Sequence, residues 1–319
     1  MQPRSTLRYS LLSAVLLTLT IAGCGGSGPD AANADAAAAQ ANADAFAAQQ
    51  QAWRDERKAG LIKPDGWTSL IGLHWIGPGG HYLGSDADNG MRLGMGPKHL
   101  GMIDLRGGRL RFVPESGLAL TLDGQPLAGP VFLNTDEAVA GPSVLGFDEG
   151  KGLVTVIKRG DRYALRVKHA DAATRTGFKG IDYWPAKEDW KITGKFVPHP
   201  PGRTIEVANI VGTTDKVPNP GAVEFERDGK SYRIEALDEG DGELFLVFAD
   251  RTNGHGSYGA GRFLDATRPD PQGRVTLDFN RTYNPPCAFT AFATCPLPPP
   301  ENRLDLLVDA GEKAYKAAN

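Results

Sequence analysis

The chain has 319 residues, of which 41% are hydrophobic and 23% are charged. This composition can fill a core and excludes an intrinsically disordered protein. The formal net charge of -3 provides no basic excess for a polyanion, so we expect no nucleic-acid partner.

The first 23 residues have the pattern of a signal peptide. Arg4 and Arg8 supply positive charge, and residues 11–21 are almost wholly apolar. This apolar stretch is too short to cross a bilayer, which takes about 20 apolar residues. We therefore predict that residues 1–23 are a signal peptide and not a membrane span.

The residues Ile21-Ala22-Gly23-Cys24 resemble the lipobox of bacterial lipoproteins. The resemblance implies that Cys24 is lipidated and becomes the new N-terminus after cleavage. Several acyl chains hold a protein firmly, since each buried CH₂ contributes about 0.8 kcal/mol. Gly25 replaces the aspartate of an inner-membrane retention signal, so we expect a lipid-anchored envelope protein, at the outer membrane and facing the periplasm. The alternative is an ordinary secreted protein with a chance cysteine.

The segment after Cys24 is predicted to change from tether to helix. Residues 24–45 are mainly Gly, Ser, Ala, Asn, Asp and Gln, with almost nothing to bury, which predicts a disordered tether. A helix is predicted from Phe46 to about Lys58, because Phe46 and Trp53 lie seven residues apart on one face. Gly60 then marks its end.

The rest of the chain is predicted to be mainly β. Short alternating or apolar runs are separated by glycine-containing turns, which favours antiparallel sheets in a sandwich- or barrel-like arrangement. Prolines interrupt the pattern over residues 184–201. We therefore predict one half over residues 46–190, with the N-terminal helix and a β-sandwich-like region, and a C-terminal β half over residues 191–319. Only residues 304–317 suggest a possible C-terminal helix.

Distinctive motifs concentrate in the C-terminal half. They resemble the DUF1684 family of bacterial and archaeal proteins, and the resemblance covers about residues 50–315. The segments that carry it are residues 67–75, 259–264, 277–287, 294–304 and 310–313. The family has no assigned activity, so the resemblance implies no reaction.

A polar binding site is expected within this C-terminal motif. Arginine offers a planar fork of donors that suits a sugar or a carboxylate, and Asp278 and Asn280 share one strand face. The expected ligand-binding residues are Tyr258, Arg262, Asp278, Asn280, Tyr283, Asn284 and Asn302. The alternative is a polar network that holds a proline-rich segment to the sheet, since buried backbone groups need partners.

Two main functions remain open from sequence. The first is a binding or envelope-maintenance lipoprotein with a small-molecule or glycan ligand. The second is an envelope hydrolase acting on a glycan or ester, whose catalytic candidates are Asp250, Asp278 and Glu301. Glycoside hydrolysis requires two carboxylates roughly 5 to 9.5 Å apart across one cleft. A purely structural partner of another envelope protein is a third possibility.

Neither a cofactor nor a metal is expected. Residues 254–259 match G-x-G-x-x-G, but a dinucleotide site needs a following helix, and residues 262–264 have the pattern of a strand. We predict a glycine-rich turn there. His74, His81 and His99 match no metal-ligand spacing.

Cys287 and Cys295 have seven residues between them, with prolines on both sides. In an exported protein such a close pair predicts a disulfide. Free or metal-bound thiols are the alternative, although no histidine lies within the segment.

Replacing Cys24 with alanine tests the lipid anchor. We expect Cys24→Ala to abolish incorporation of radiolabelled palmitate and to leave the precursor uncleaved, because the thiol is the acyl acceptor. Cys287→Ala is the matched control and should still be labelled. Equal labelling of wild-type and Cys24→Ala protein would contradict the lipobox assignment.

Overall fold

The structure is a computed structural model that describes residues 29–316. This part of the chain begins with a long helix. Cys24 and the predicted signal peptide lie outside the described residues. Helix α1 spans Pro29–Leu61, so the prediction of a disordered tether is wrong from Pro29 onward. Alanine is the best helix former, and extending an existing helix needs no new nucleus. Residues 33–45 are nevertheless exposed, as expected for a segment with little to bury. By contacts the chain divides after Ala45.

The C-terminal part of α1, from Phe46 onward, belongs to the second unit, Phe46–Asn319. Its less exposed residues follow helical spacing and include Gln50, Trp53, Arg54 and Arg57. Gln50 donates to the Asp278 carboxylate over 2.7 Å, and Arg54 donates to the Trp184 carbonyl over 3.0 Å. Directed hydrogen bonds therefore help to position this helix face, together with the contact between the rings of Trp53 and Tyr183.

The first half contains two sheets, as the alternating pattern predicted. One has six strands in the order β1-β11-β10-β9-β6-β7, and the other has five in the order β3-β2-β4-β5-β8. All neighbours pair antiparallel except β2 and β3. The strands are β1 Leu70–Ile76, β2 Gly79–Gly84, β3 Met91–Arg92, β4 Gly101–Arg106, β5 Arg109–Pro114, β6 Thr121–Leu122, β7 Gln125–Pro126, β8 Val131–Leu133, β9 Val144–Phe147, β10 Gly152–Arg159 and β11 Arg162–His169.

One hydrophobic core fills the space between these two sheets. Val154, Val156, Leu165 and Val167 contribute to it from β10 and β11. Successive strand residues point to opposite faces. Arg159 and Arg166 therefore lie on the other face of the six-stranded sheet, which turns toward the second half.

The second half consists of smaller antiparallel sheets. Four strands pair in the order β16-β15-β12-β19, and β13-β14 and β17-β18 form two-stranded sheets. The strands are β12 Lys191–Pro198, β13 Thr204–Ala208, β14 Thr214–Pro218, β15 Gly221–Arg227, β16 Lys230–Ala236, β17 Glu243–Phe248, β18 Arg262–Thr267 and β19 Arg274–Asp278. The fold is thus mainly β, as predicted.

Only short helical segments interrupt the sheets. Helix α2 spans Ala173–Thr176. Single 3-10 turns occur at Trp67–Ser69, Asp148–Gly150, Glu188–Trp190, Phe279–Arg281, Pro286–Ala288 and Pro300–Asn302. No helix among the described residues is both long and apolar enough to cross a membrane.

Strands β17 and β18 separate two further cores. Leu244, Leu246 and Leu264 point into the main core of the second half. Phe245 and Phe263 alternate with them and point into a third core, which also contains Leu70 of the first half. The two halves therefore share buried apolar contacts on one face of β17 and β18.

The possible C-terminal helix is not formed over residues 304–316. Instead, Leu304, Leu306, Val308 and Ala310 are buried in the main core, while the residues between them are more exposed. This period of two is that of an extended chain and not of a helix, whose period is 3.6. The segment has good helix formers, but burial of every second side chain in an existing core outweighs that preference.

Two neighbouring leucines test this arrangement. Leu306 is 6% exposed and Leu307 is 56% exposed. We expect Leu306→Ala to lower the free energy of unfolding by about 2–5 kcal/mol, and Leu307→Ala to change it by less than about 0.5 kcal/mol. Urea denaturation of both variants measures this difference. Equal losses would contradict the extended packing.

Candidate functional site

Arg262 lies at the centre of the C-terminal motif and is fully buried. Its guanidinium donates to the Asp250 carboxylate over 2.7 Å and to the carbonyls of Val308 and Ala310 over 2.8 and 2.6 Å. Burial lowers the pKa of Arg262, and the Asp250 carboxylate opposes that shift. With these acceptors occupied and no exposure to solvent, Arg262 holds chain segments together and does not present itself to a ligand.

Three asparagines of the motif are also fully buried and bonded to backbone. Asn280 exchanges hydrogen bonds with the backbone of Lys187 over 2.9 and 2.8 Å. Asn302 does the same with Glu235 and also donates to the Val247 carbonyl. Asn284 donates to the Lys313 carbonyl. These contacts correspond to the alternative in which the motif is a polar network.

The last motif segment, residues 310–313, requires a glycine at position 311. The φ of Gly311, +77°, is in the left-handed region, and an added Cβ would overlap Thr282. The next residue, Glu312, is fully buried, accepts from the Asn284 backbone N–H over 2.6 Å and pairs with Arg57 over 2.9 Å. Burial raises the pKa of Glu312.

The three predicted catalytic carboxylates lie in different environments and do not share a cleft. Asp250 is occupied by Arg262, Asp278 caps a 3-10 turn and accepts from Gln50, and Glu301 is exposed. None of them lines the cleft described below. The structure therefore gives no support to a glycosidase that uses these side chains.

Tyr258 and Tyr283 complete the predicted set. The Tyr258 hydroxyl donates to the Cys287 carbonyl over 3.2 Å. Tyr283 is the one predicted ligand-binding residue that lines the cleft, and its hydroxyl donates to Asp265 over 3.1 Å. Burial raises the pKa of Tyr283, so it remains a donor at neutral pH.

Cys287 and Cys295 form a disulfide, as the sequence predicted. We refer to residues 287–295 as the disulfide loop. In the chain-entropy model a loop of this length stabilises the fold by about 2.5 kcal/mol. Cys295 lines the cleft together with its neighbours Ala293 and Thr294, so the bridge also positions part of the cleft wall.

A cleft of about 580 Å³ lies where the two halves meet α1. Trp53, Glu56 and Arg57 line it from the helix. The first half contributes a basic wall, which consists of Trp67, Arg159 and Arg166. The second half contributes an acidic wall, which consists of Glu239, Asp241, Glu243 and Asp265.

The basic wall is organised around Thr294 of the disulfide loop. Its hydroxyl accepts from Arg159 over 3.2 Å and from Arg166 over 3.4 Å. Arg159 is also paired with Asp136 over 2.7 Å. The Arg166 guanidinium lies 5.1 Å from the Trp67 ring centre, a distance typical of a cation–π contact.

Two carboxylates of the acidic wall, Asp265 and Glu239, have raised pKa values. Desolvation by the surrounding walls raises the pKa of Asp265, although its side chain still meets solvent, and Glu243 and Asp241 contribute in the same direction. Desolvation likewise raises the pKa of Glu239, with Asp241 and Asp265 adding to it. Like charges close together each disfavour ionisation of the other.

Aromatic rings and Arg57 connect the two charged walls. Phe245, Phe263 and Tyr283 line the cleft. The Arg57 guanidinium lies 4.6 Å from the Tyr283 ring centre, while its Nε is bonded to Glu312. The cleft therefore combines a few aromatic rings with a predominantly polar lining, and polar groups that converge on one site can orient a small molecule.

Sequence reasoning missed most of the cleft. Arg159 and Arg166 occupy the polar face of alternating strands, which is usually solvated. The alternation of β17 and β18 does place Phe245 and Asp265 on a common side, because these two residues are cross-strand partners. That pattern was the available signal, but nothing local shows that the first half covers this side.

One cluster of possible metal ligands lies outside the cleft. Among the described residues, Asp86, Asp88 and His99 bring ligand atoms within 4.8 Å of one another. Asp88 and His99 are exposed, and Asp86 is half-buried. The two aspartates lie in the loop between β2 and β3, and His99 lies just before β4.

The comparisons with known proteins agree with the motifs. Residues 176–313 match the DUF1684 family. The description of this family is "Protein of unknown function (DUF1684)". The match supports the resemblance predicted from the sequence. The DUF1684 segment includes the acidic wall and the disulfide loop, while Arg159, Arg166 and the lining residues of α1 precede it.

An uncharacterized protein of Haloarcula marismortui, known from a solution NMR structure, is 29% identical to this chain. The similarity covers 44% of this chain and 78% of that protein, with a TM-score of 0.37. No curated protein shows a significant match.

Matched substitutions distinguish a structural arginine from one that lines the cleft. We expect Arg262→Met to lower the free energy of unfolding by about 3–5 kcal/mol, because it leaves the buried Asp250 carboxylate unpaired. Arg166→Met should change it by less than about 1 kcal/mol, since no carboxylate among the described residues pairs with Arg166. Chemical denaturation of both variants measures the two values, and similar losses would contradict this distinction.

Proposed function

We propose that this protein is a lipid-anchored cell-envelope protein that binds a small molecule in the cleft between its two halves. The observation that carries the proposal is the cleft itself. Its volume of about 580 Å³ lies within the roughly 300–1,000 Å³ of typical ligand sites. Its walls come from α1, both halves and the disulfide loop, so the folded body must be complete before the site exists.

The lining supports binding of a polar molecule with an apolar part. Aromatic rings of Trp53, Phe245 and Phe263 offer apolar surface, while the basic and acidic walls offer charge on opposite sides. Polar groups that converge on one cleft give a ligand its orientation. This proposal replaces the C-terminal motif with the cleft as the binding site and keeps only Tyr283 from the expected residues.

The envelope location rests on separate support. The residues around Cys24 have the lipobox pattern, and the disulfide between Cys287 and Cys295 is typical of proteins in oxidising compartments. A lipid anchor at Cys24 would keep the cleft close to a membrane, where envelope sugars and peptides are available as ligands.

Filling the cleft tests the proposal. A thermal-shift screen of the full chain against envelope sugars and peptides should first identify ligands, because a ligand that binds only the folded state raises Tm. Gly60 lines the cleft and has open space where a Cβ would stand. We expect Gly60→Trp to weaken ligand affinity at least ten-fold, and the ligand-induced rise in Tm should shrink accordingly.

Gly129→Trp is the matched control, because Gly129 also has open space and lies outside the cleft. It should retain the wild-type response. Ligands that stabilise wild-type and Gly60→Trp protein equally would show that the cleft is not their site.

A further inference from the structure

Within the described part of the chain, Arg166 differs from three nearby arginines in its lack of a carboxylate partner. Arg57, Arg159 and Arg262 each have a carboxylate partner within 3 Å. Among the described residues no carboxylate forms a salt bridge with Arg166. Its single side-chain hydrogen bond to another described residue is the long one to Thr294, at 3.4 Å. Its Nε is buried without a partner among these residues, as is the Nε of Arg262, so the missing carboxylate is what distinguishes Arg166.

This guanidinium is nevertheless charged. Burial and the neighbouring Arg159 lower the pKa of Arg166 to about 10, which leaves it protonated at neutral pH. A desolvated charge without a counter-ion is unfavourable. An anion in the cleft would supply the missing acceptor, and a guanidinium matches the planar oxygens of a carboxylate or phosphate.

We propose that the basic wall is an anion subsite, in which Arg166 binds a carboxylate or phosphate group of the ligand, with Arg159 and Thr294 beside it. This inference rests on the proposed function, because it names the ligand group that the cleft recognises. Thr294 contributes through its position in the disulfide loop, where it already contacts both arginines.

The acidic wall limits what the rest of the ligand can carry. Glu239, Asp241, Glu243 and Asp265 form no salt bridge among the described residues. Their negative charge faces the same cleft and would repel a second anionic group. The ligand therefore carries one anionic group at the basic wall, and its remaining part is neutral or positively charged.

Calorimetric titration of the full chain with simple aromatic compounds tests this inference. The probes are phenylacetate, phenyl phosphate, phenylalanine, phenylsuccinate and 2-phenylethanol, whose ring suits the aromatic lining. We expect phenylacetate or phenyl phosphate to bind at least ten-fold more tightly than neutral 2-phenylethanol. Whichever of the two binds more tightly identifies the anion as carboxylate or phosphate. Phenylalanine should bind at least as well as phenylacetate. Phenylsuccinate has two separate carboxylates and should bind at least ten-fold more weakly than phenylacetate.

Substitutions locate the subsite. Arg166→Gln should weaken the tighter anion at least ten-fold, and Arg166→Lys should restore part of the affinity because it keeps the charge without the planar fork. Arg109→Gln is the control, since Arg109 is exposed on β5 and lies outside the cleft. A melting curve for each variant confirms that it is folded.

The failures of the two proposals can be told apart. Binding of 2-phenylethanol or a screening hit that Gly60→Trp blocks would keep the cleft as a ligand site. The anion subsite would nevertheless be wrong if anions bind no more tightly than neutral compounds, or if Arg166→Gln protein binds anions like wild type. If phenylsuccinate binds as tightly as phenylacetate, the limit to one anionic group is wrong. If no probe and no screening compound depends on Gly60, both proposals fail.

Discussion

The buried ion pair of Arg262 and Asp250 is the contact on which the arrangement of the second half depends. It joins the start of β18 to the loop after β17, and through the Val308 and Ala310 carbonyls it also holds the last extended segment. Such a pair gains its value from complete hydrogen bonding, because two charges removed from water are otherwise destabilising. The polar C-terminal motif is therefore an internal scaffold, and its residue types follow from that role.

This scaffold determines where the cleft residues point. Arg262 and Leu264 face inward on β18, so Phe263 and Asp265 must face the other side. That side meets the first half through the third core and opens into the cleft. The same strand thus carries the residues that fix the fold on one face and the residues that line the candidate site on the other.

The cleft combines charges that the fold keeps apart. Arg57 and Arg159 are neutralised by Glu312 and Asp136 outside the acidic wall, while Arg166 is not paired with any described carboxylate. The basic and acidic walls therefore face one another across solvent and do not close into a salt bridge. Fixed charges on the low-dielectric walls of a cleft focus the electric field and orient a polar ligand.

Much of the fold could be predicted from sequence, but little of the site. Alternating runs and glycine turns indicated a mainly β chain, and the spacing of Cys287 and Cys295 indicated the disulfide, because both depend on local chemistry. The extended segment after Leu304 was mistaken for a possible helix, since its alternate burial depends on a distant core. The polar motif was predicted to be a ligand site, whereas Arg262 and three of its asparagines are fully buried and bonded within the protein. Sequence shows that polar residues need partners without showing which partners they have.

The sequence by itself determined which residues share a strand face, since that follows from backbone geometry. Only the tertiary structure decided what covers each face. Arg166 and Arg262 are both arginines within strands, and nothing local separates them. Packing places Arg262 among carbonyls and a carboxylate, and it leaves Arg166 at the edge of a cleft without a counter-ion, because the groups around each come from remote parts of the chain.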